Sequence, residues 1–217
     1  MKKETGITSL QHLAFYPSES RTNYPTIVAL HGRGADYNDL PPLIEALKID
    51  DLLVIAPRAP FPYVNGGFAW YTVQEEGVPS PESFNQSVFL LHRFLGEIKR
   101  QYPIDTKRTF LLGFSQGTVM AYAAGLADHV SFRGIAAMSG YIPVRSGISV
   151  ESDLSGLSVF ISHGTDDAVI PVQFGRNAKQ LLTKAGADVL YKEYSMGHQV
   201  IEETITDLAN WMKERIN

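Results

Sequence analysis

The sequence predicts an α/β protein with a mostly parallel central sheet and helices on both of its faces. Short apolar runs alternate along the chain with segments of helical periodicity, which is the order of elements in such folds. The apolar runs have no polar face, as is typical of parallel strands that are covered on both sides. No repeat, low-complexity tract or linker divides the 217 residues, so we expect one domain over residues 1–217.

Six apolar runs are the predicted strands. The first three are followed at once by residues that end a strand, namely His31-Gly32, Pro57 and Gly113. The last run is less uniformly apolar, so we expect a more exposed strand there. The predicted strands span residues 25–30, 52–56, 109–112, 134–138, 158–161 and 189–194.

Five segments between and after these runs have the pattern of helices. The segment after the third strand is rich in alanine, which indicates a buried helix. In the fourth segment, Gly186 stands where a C-terminal helix cap is expected. The predicted helices span residues 38–47, 87–102, 118–126, 174–185 and about 200–216.

Two long stretches interrupt this alternation, at residues 58–82 and 141–156. Both follow predicted strands, and loops of such length in compact domains are usually functional or disordered. The aromatic residues of the first stretch favour an ordered loop. Because ligands bind at the carboxyl edge of an open α/β sheet, we expect the first stretch to lie near a binding site.

The composition excludes several kinds of protein and site. The chain has no cysteine, which excludes disulfides, thiolate nucleophiles, zinc–thiolate sites and iron–sulfur clusters. A net charge of −4 gives no electrostatic reason to expect nucleic acid or an anionic membrane as a partner. The N-terminus lacks the apolar core of a signal peptide, and no window reaches the roughly 20 apolar residues of a membrane span. We therefore expect a cytoplasmic protein without integral membrane association.

Residues 113–117 match the pattern Gly-x-Ser-x-Gly, which occurs nowhere else in the chain. In this pattern a serine stands on a sharp turn between a strand and a helix, and side chains two residues away would collide with the turn. The predicted strand before the motif and the alanine-rich helix after it supply this context. We therefore predict Ser115 as a nucleophile, rather than as a serine of an ordinary glycine-flanked turn.

A serine hydroxyl needs a base to accept its proton, and the base needs an orienting acid. Where a serine stands on such a turn, the chain order is Ser, then Asp or Glu, then His. Of the six histidines only His163 and His198 follow Ser115, and only His198 leaves room for an acid after a strand end. His198 lies between the last predicted strand and the last predicted helix. We predict it as the base, the alternative being a histidine of a surface loop.

The acid is predicted in the loop after the fifth strand. Asp166 and Asp167 are adjacent there, and either could accept a hydrogen bond from His198. Mechanics alone do not separate the two carboxylates, and the other one is expected to be an exposed turn or N-cap residue. His163, at the start of the same loop, is expected to support the loop rather than to take part in chemistry.

The tetrahedral intermediate of acyl transfer needs two hydrogen-bond donors for its oxyanion. One is expected to be the backbone N–H of Gln116, which follows the nucleophile. The other is expected from residues 30–34, where Gly32 and Gly34 allow the backbone to approach a substrate closely. Arg33 is the candidate there through its N–H, and a simple strand-to-helix turn is the alternative.

Taken together, these residues resemble the carboxylesterase and acyl-protein thioesterase family of α/β-hydrolases. The resemblance runs from about residue 24 to the C-terminus. Its motifs are Leu-His-Gly-x-Gly at 30–34, Pro-x-Ala-Pro at 57–60, Trp-Tyr at 70–71, Gly-Phe-Ser-Gln-Gly at 113–117, His-Gly-x-x-Asp at 163–167 and Gly-His at 197–198. The resemblance implies an α/β-hydrolase fold, no metal and no organic cofactor. Since few residues are left for one, we expect no large cap domain.

The resemblance also assigns individual residues. It selects Asp167 over Asp166 as the acid, and it places the second oxyanion donor on Arg33. Two positions depart from the family, because many relatives have a third glycine in place of Thr118 and often Leu in place of Arg33. Thr118 could crowd the start of the helix, and an inward-facing Arg33 side chain could change the substrate preference. Neither departure threatens the triad.

The resemblance and the motifs together predict hydrolysis of small- to medium-chain carboxylic esters through an acyl-enzyme on Ser115. The same triad would serve thioesters, lysophospholipids or acylated proteins, and a non-catalytic ligand-binding relative is the remaining alternative. The expected partner is a small-molecule ester and not nucleic acid, and a homodimer stays open. Five aromatic side chains are candidates for an apolar substrate wall, with ordinary core packing as an equal alternative: Phe61, Tyr63, Phe68, Trp70 and Tyr71.

Overall fold

The computed structural model describes residues 2–6, 8–17, 20–75, 78–150 and 153–216. One sheet of eight strands runs through this part of the chain. Its strands are β1 (Lys2–Gly6), β2 (His12–Tyr16), β3 (Tyr24–Leu30), β4 (Leu53–Pro57), β5 (Ile104–Phe114), β6 (Gly134–Met138), β7 (Ser158–Gly164) and β8 (Asp188–Tyr194). Their order in the sheet is β1-β2-β4-β3-β5-β6-β7-β8. β1 pairs with β2, and β2 with β4, in antiparallel fashion, whereas the other five neighbouring pairs are parallel.

Helices cover both faces of this sheet. They are α1 (Pro41–Ala46), α2 (Pro81–Gln101), α3 (Gln116–Ala127), α4 (Gln173–Lys184) and α5 (Glu202–Ile216). Residues of α2, α3 and α4 pack with one face of the strands, and residues of α1 and α5 pack with the other. Short 3-10 turns lie at Val64–Gly66, His129–Ser131 and Val144–Ser146. The predicted α/β fold, with a mostly parallel sheet between two helix layers, is confirmed.

All six predicted strands are present, but two further strands precede them. β1 has no apolar residue that could mark it, whereas β2 contains a short apolar run, Leu13 to Tyr16, that the sequence analysis overlooked. Both strands lie at one end of the sheet, where side chains are covered less completely. β5 also begins five residues before its predicted start, at Ile104, through a polar segment in which Asp105 pairs with Arg108.

The irregular stretch predicted at residues 58–82 is built from two small hairpins. Phe61–Pro62 pairs with Phe68–Ala69, and Val73–Glu75 pairs with Val78–Pro79. Helix α2 begins at Pro81, six residues before its predicted start, because proline fits the first turn of a helix without losing a hydrogen bond. Residues 76–77 lie outside the described part of the chain. The described residues between β4 and α2 therefore form no cap domain.

The carboxyl edge of the sheet collects the predicted site. Because β3, β5, β6, β7 and β8 are parallel, their carboxyl ends lie at one edge. The loops that leave this edge contain residues 31–34, 115, 139–143, 165–172 and 195–201. Residues distant in sequence are thereby brought together.

Candidate active site

Ser115 stands in a strained conformation between β5 and α3. Its φ of 55° and ψ of −119° are rare for a residue with a side chain. The two glycines of the motif make the turn possible by close approach. A Cβ on Gly113 would lie 2.4 Å from the carbonyl carbon of Gly117, and a Cβ on Gly117 would lie 1.8 Å from the carbonyl oxygen of Leu30. The motif therefore places the serine between the start of α3 and the end of β3.

Three polar side chains form a continuous hydrogen-bonded chain at this turn. His198 Nε2 lies 2.9 Å from Ser115 Oγ, and His198 Nδ1 lies 2.8 Å from Asp167 Oδ2. Because Asp167 as a carboxylate can only accept, Nδ1 carries the proton and Nε2 is free to accept from the serine hydroxyl. The imidazole also packs on Phe114, with ring centroids 5.0 Å apart. The arrangement can therefore take a proton from the serine and stabilise the resulting imidazolium.

The two adjacent carboxylates of the β7–α4 loop have different environments. Asp167 is buried, and its Oδ1 accepts hydrogen bonds from the N–H groups of Val169 (2.9 Å) and Ile170 (2.8 Å). Asp166 is exposed, and its carboxylate accepts only from the hydroxyl of Thr165, at 3.3 Å, within the described residues. Of the two, only Asp167 reaches His198.

His163, near the end of β7, is hydrogen-bonded to the same β7–α4 loop. Its ring is fully buried, and Nε2 lies 2.7 Å from the carbonyl oxygen of Ile170 and 3.5 Å from Asp167 Oδ2. Burial lowers the pKa of His163, which favours the neutral ring. Because Nε2 must donate to the carbonyl, the single proton lies there, and Nδ1 has no partner among the described residues. The ring therefore ties Ile170 to the strand end and keeps the Asp167 loop closed.

Among the turn and loop hydrogen bonds of the described residues, none is donated by the backbone N–H of Arg33 or of Gln116, which is the first residue of α3. Gln116 directly follows the serine. The loop with Arg33 lies across from it, since a Cβ on Gly32 would be 3.5 Å from Ser115 Cβ and 3.2 Å from the Phe114 ring. The segments of both predicted oxyanion donors therefore lie next to Ser115.

The aromatic pair Trp70-Tyr71 lies in the core instead of on an open surface, with exposures of 0% and 1%. The pair is hydrogen-bonded to both segments that are predicted to supply oxyanion donors. Trp70 N–H donates to Gln116 Oε1 at 3.0 Å, Gln116 Nε2 donates to the Tyr71 carbonyl at 2.9 Å, and the Trp70 indole donates to the His31 carbonyl at 2.9 Å. The sequence analysis missed this bracing by the Gln116 side chain, and no pattern in a single sequence signals it.

The other three candidates for a substrate wall keep some exposed surface. Phe61 and Phe68 are half-buried, and Tyr63 is 40% exposed. Their hairpin is hydrogen-bonded to the loop of residues 31–34, because the N–H of Gly34 donates to the Phe68 carbonyl at 2.8 Å. The exposed guanidinium of Arg33 lies 5.8 Å from the centre of the Tyr63 ring. Contact with a substrate is therefore open to these three side chains and to Arg33.

Thr118, where many relatives of the carboxylesterase and acyl-protein thioesterase family have glycine, is accommodated by a glycine on the neighbouring segment. A Cβ on Gly140 would lie 2.4 Å from Thr118 Cβ, so the threonine fills the space that Gly140 leaves open. Its buried hydroxyl accepts from the N–H of Met138 at 3.0 Å and lies 2.7 Å from the carbonyl of Gly113. The residue therefore connects the start of α3 to β5 and β6.

A mainly apolar cavity of about 350 Å³ lies between the segment after β6 and helix α4. Its walls include Tyr141, Ile142, Phe174 and Leu181, and Tyr141 is stacked against Phe174 with ring centroids 5.3 Å apart. Both segments leave the carboxyl edge of the sheet, one directly after Gly140 and the other after the Asp167 loop. Ser115, Asp167 and His198 are not part of its walls, so the cavity is adjacent to segments of this edge and separate from the triad itself.

Within the described residues, no group of three or more His, Asp or Glu side chains is placed to hold a metal ion. None of the described helices combines the length and the apolar character needed to cross a bilayer.

Comparison with known proteins gives consistent matches along nearly the whole chain. A family model described as phospholipase/carboxylesterase matches residues 14–216. Acyl-protein thioesterase 1 of Candida albicans is 28% identical over 219 residues, which cover 91% of this chain and 94% of that protein. Carboxylesterase SOBER1 of Arabidopsis thaliana is 27% identical, covering 88% and 90%. The crystal structure of the Bacillus cereus carboxylesterase superposes with a TM-score of 0.84 at 25% identity, covering 95% of this chain and 94% of that one.

Proposed function

The chain belongs to the phospholipase/carboxylesterase family of α/β-hydrolases and is a serine-type ester hydrolase, and from this premise we propose that it hydrolyses small- to medium-chain carboxylic esters through an acyl-enzyme on Ser115. The observation that carries the proposal is the unbroken hydrogen-bonded chain from Ser115 through His198 to Asp167, with contacts of 2.9 Å and 2.8 Å. Asp167 is held by two backbone N–H groups, so it is available as a fixed acceptor.

Acylation begins when Ser115 Oγ attacks the ester carbonyl carbon and its proton passes to His198 Nε2. The carbonyl oxygen becomes an oxyanion, which the N–H groups of Arg33 and Gln116 would bind. The intermediate collapses as the carbon–alkoxy bond breaks, and His198 returns its proton to the leaving alcohol. Water then attacks the acyl-enzyme with His198 as base, which releases the carboxylic acid and restores the serine.

The cavity beside Tyr141 supports the choice of acyl length. Its apolar walls suit an alkyl chain, and its volume of about 350 Å³ is near the lower end of the range for small-molecule sites. We therefore expect turnover to rise from acetyl to medium-chain esters and to fall for palmitoyl esters.

A thioesterase or lysophospholipase activity of the same triad is the second candidate. The observation that favours it is the match to acyl-protein thioesterase 1 over 91% of the chain. Comparing turnover of matched esters, thioesters and lysophospholipids of one chain length would separate these substrates. Labelling of Ser115 by a fluorophosphonate would test the nucleophile independently of the substrate. A cytoplasmic location and a homodimer stay predictions from the sequence.

The first experiment measures hydrolysis of p-nitrophenyl esters from acetate to palmitate by the wild type and by Ser115→Ala. We expect the substitution to lower kcat by about 10³-fold or more, because the nucleophile is lost. The matched control is Ser162→Ala at the end of β7, a fully buried serine whose hydroxyl has no partner among the described residues. The control should retain wild-type turnover within about twofold. Equal turnover by wild type and Ser115→Ala would overturn the proposal.

A further inference from the structure

The imidazole of His31, at the end of β3, binds the backbone through both of its nitrogens. Its Nε2 accepts from the N–H of Ala59 at 3.0 Å, and its Nδ1 lies 2.7 Å from the carbonyl oxygen of Gly32. An N–H group can only donate, so Nε2 carries no proton and the neutral ring is protonated on Nδ1. Nδ1–H therefore donates to the Gly32 carbonyl. The residue is 1% exposed, so both bonds are shielded from bulk solvent.

The Gly32 carbonyl belongs to the same peptide plane as the N–H of Arg33. This peptide is trans, since no cis peptide bond occurs among the described residues. In a trans peptide the C=O and the following N–H point in opposite directions. A carbonyl that is held against the His31 ring therefore directs the Arg33 N–H away from that ring, on the loop that faces Ser115.

The orientation of this peptide must be fixed by a group outside the loop, because the glycines of the loop restrict its backbone little. Gly32 has no side chain to restrict the rotation of the plane, and Gly34 has a φ of +85°. A second donor to the Gly32 carbonyl is the N–H of Ala35, but its contact is longer, at 3.3 Å. The bond from His31 is thus the shorter of the two that set the plane.

We propose that His31 is a positioning residue that fixes the Arg33 N–H as an oxyanion donor by holding the Gly32 carbonyl through Nδ1–H. This inference rests on the proposed function of Ser115. The role requires the neutral ring, because a proton on Nε2 would face the N–H of Ala59. The charged groups nearest the ring are Asp36 and Arg58, which act on it in opposite directions. Burial is the largest influence and lowers the pKa of His31, so the required form is favoured at neutral pH.

Two substitutions separate the two nitrogens of the ring. His31→Asn places an amide N–H near the position of Nδ1 and can still donate to Gly32, whereas it loses the bond from Ala59. His31→Gln places an amide oxygen near the position of Nε2 and can still accept from Ala59, whereas it loses the bond to Gly32. A role confined to anchoring the Ala59 segment would favour Gln, and the proposed role favours Asn.

The experiment measures kcat and KM for a p-nitrophenyl ester with wild type, His31→Asn and His31→Gln, and the inhibition constant of a trifluoromethyl ketone, whose adduct with serine carries an oxyanion. We expect His31→Gln to lower kcat by about 10²-fold with little change in KM, since the loss of one oxyanion donor costs this much or more. His31→Asn should stay within about tenfold of wild type. Binding of the ketone should weaken in parallel, so that its inhibition constant rises as kcat falls. Thermal unfolding compares the folding of the variants.

Equal losses in the two variants, or a smaller loss in His31→Gln, would overturn the role of His31 and leave the function of Ser115 standing. A loss of kcat without weaker binding of the ketone would overturn it as well. Failure of the proposed function has a different signature, because then the wild type itself would hydrolyse no ester. The ketone series still tests His31 in that case, since addition of Ser115 to a ketone requires no turnover.

Discussion

The pairs His31-Gly32 and His163-Gly164 stand at the carboxyl ends of β3 and β7 in the same sheet. Both imidazoles are buried, and both bind a backbone carbonyl of the loop that follows. They do so through different nitrogens. His31 uses Nδ1 at 2.7 Å and has its other nitrogen satisfied by Ala59, whereas His163 uses Nε2 at 2.7 Å and leaves Nδ1 without a partner in the described residues.

This difference follows from what each loop has to hold. In the first loop, Nδ1 of His31 reaches the carbonyl of the adjacent residue, Gly32. In the second loop, Nε2 of His163 reaches the Ile170 carbonyl seven residues further on. In the proposed mechanism, the same dipeptide thus positions a backbone donor in one place and an acid in the other. The three predictions below test this comparison.

The largest effect is expected from removing the charge that the second loop presents. Asp167→Asn should lower kcat by about 10³- to 10⁴-fold, because an amide no longer stabilises the imidazolium and can reverse the tautomer of His198. The measurement is kcat with a p-nitrophenyl ester at saturating substrate. The matched control is Asp166→Asn, whose exposed carboxylate does not reach His198 and whose kcat should stay within about twofold. The assignment fails if the control loses as much activity as Asp167→Asn.

An intermediate effect is expected from His163 itself, in stability rather than in chemistry. His163→Leu leaves the buried Ile170 carbonyl without its donor and should lower the free energy of unfolding by about 1–3 kcal/mol. His163→Gln places an amide N–H near the position of Nε2 and should recover part of this loss, whereas His163→Asn should not. Urea unfolding of the three variants is the measurement. Better recovery by Asn than by Gln would contradict the assignment of Nε2 as the donor.

The smallest effect is expected from pH. Burial lowers the pKa of His31 and of His163 below the ordinary histidine value of about 6.5, so the unfolded chain binds more protons than the folded one near and below that pH. Stability should therefore be full at pH 7 and fall towards pH 5.5, by at most about 1 kcal/mol for each histidine. Carboxylates with lowered pKa, such as Glu193 at about 2, contribute only at more acidic pH.

The measurement is the free energy of unfolding in urea at pH 7 and at pH 5.5, with His163→Gln as the comparison. The variant lacks one titrating ring, so its stability should depend less on pH in this window. A wild type that is equally stable or more stable at pH 5.5 would contradict the prediction.

Most of the fold could be predicted because parallel strands and amphipathic helices leave local signals. The five apolar runs from β3 to β7 are buried on both sides, so their composition alone marks them. The edge strand β1 was missed because its sequence is polar throughout, whereas β2 was overlooked although its first three residues are buried and most of its residues are apolar. The early start of α2 at Pro81 was missed although proline is a known signal for the first turn of a helix.

The predicted site depended on two kinds of information. A Cβ on Gly117 would lie as close as 1.8 Å to a backbone atom, so a side chain does not fit there. Any sequence that makes this turn therefore shows glycines at these positions. The aromatic stretch shows the opposite situation. Trp70 has no exposed surface, whereas Tyr63 is 40% exposed, and nothing in the spacing of these residues distinguishes a core position from an open one.

By itself the sequence determined the kind of chemistry, since a serine between glycines, followed by an acid and then by a histidine, is the pattern of a serine hydrolase. The choice between Asp166 and Asp167 needed the family resemblance, and the tertiary structure then placed only Asp167 beside His198. The tertiary structure alone decided which nitrogen of His31 carries the proton and that the Gln116 side chain braces Trp70. The physical reason is range. A sharp strand-to-helix turn requires glycines at fixed local positions and so leaves a motif in the sequence, whereas burial and proton positions depend on groups that only folding brings together.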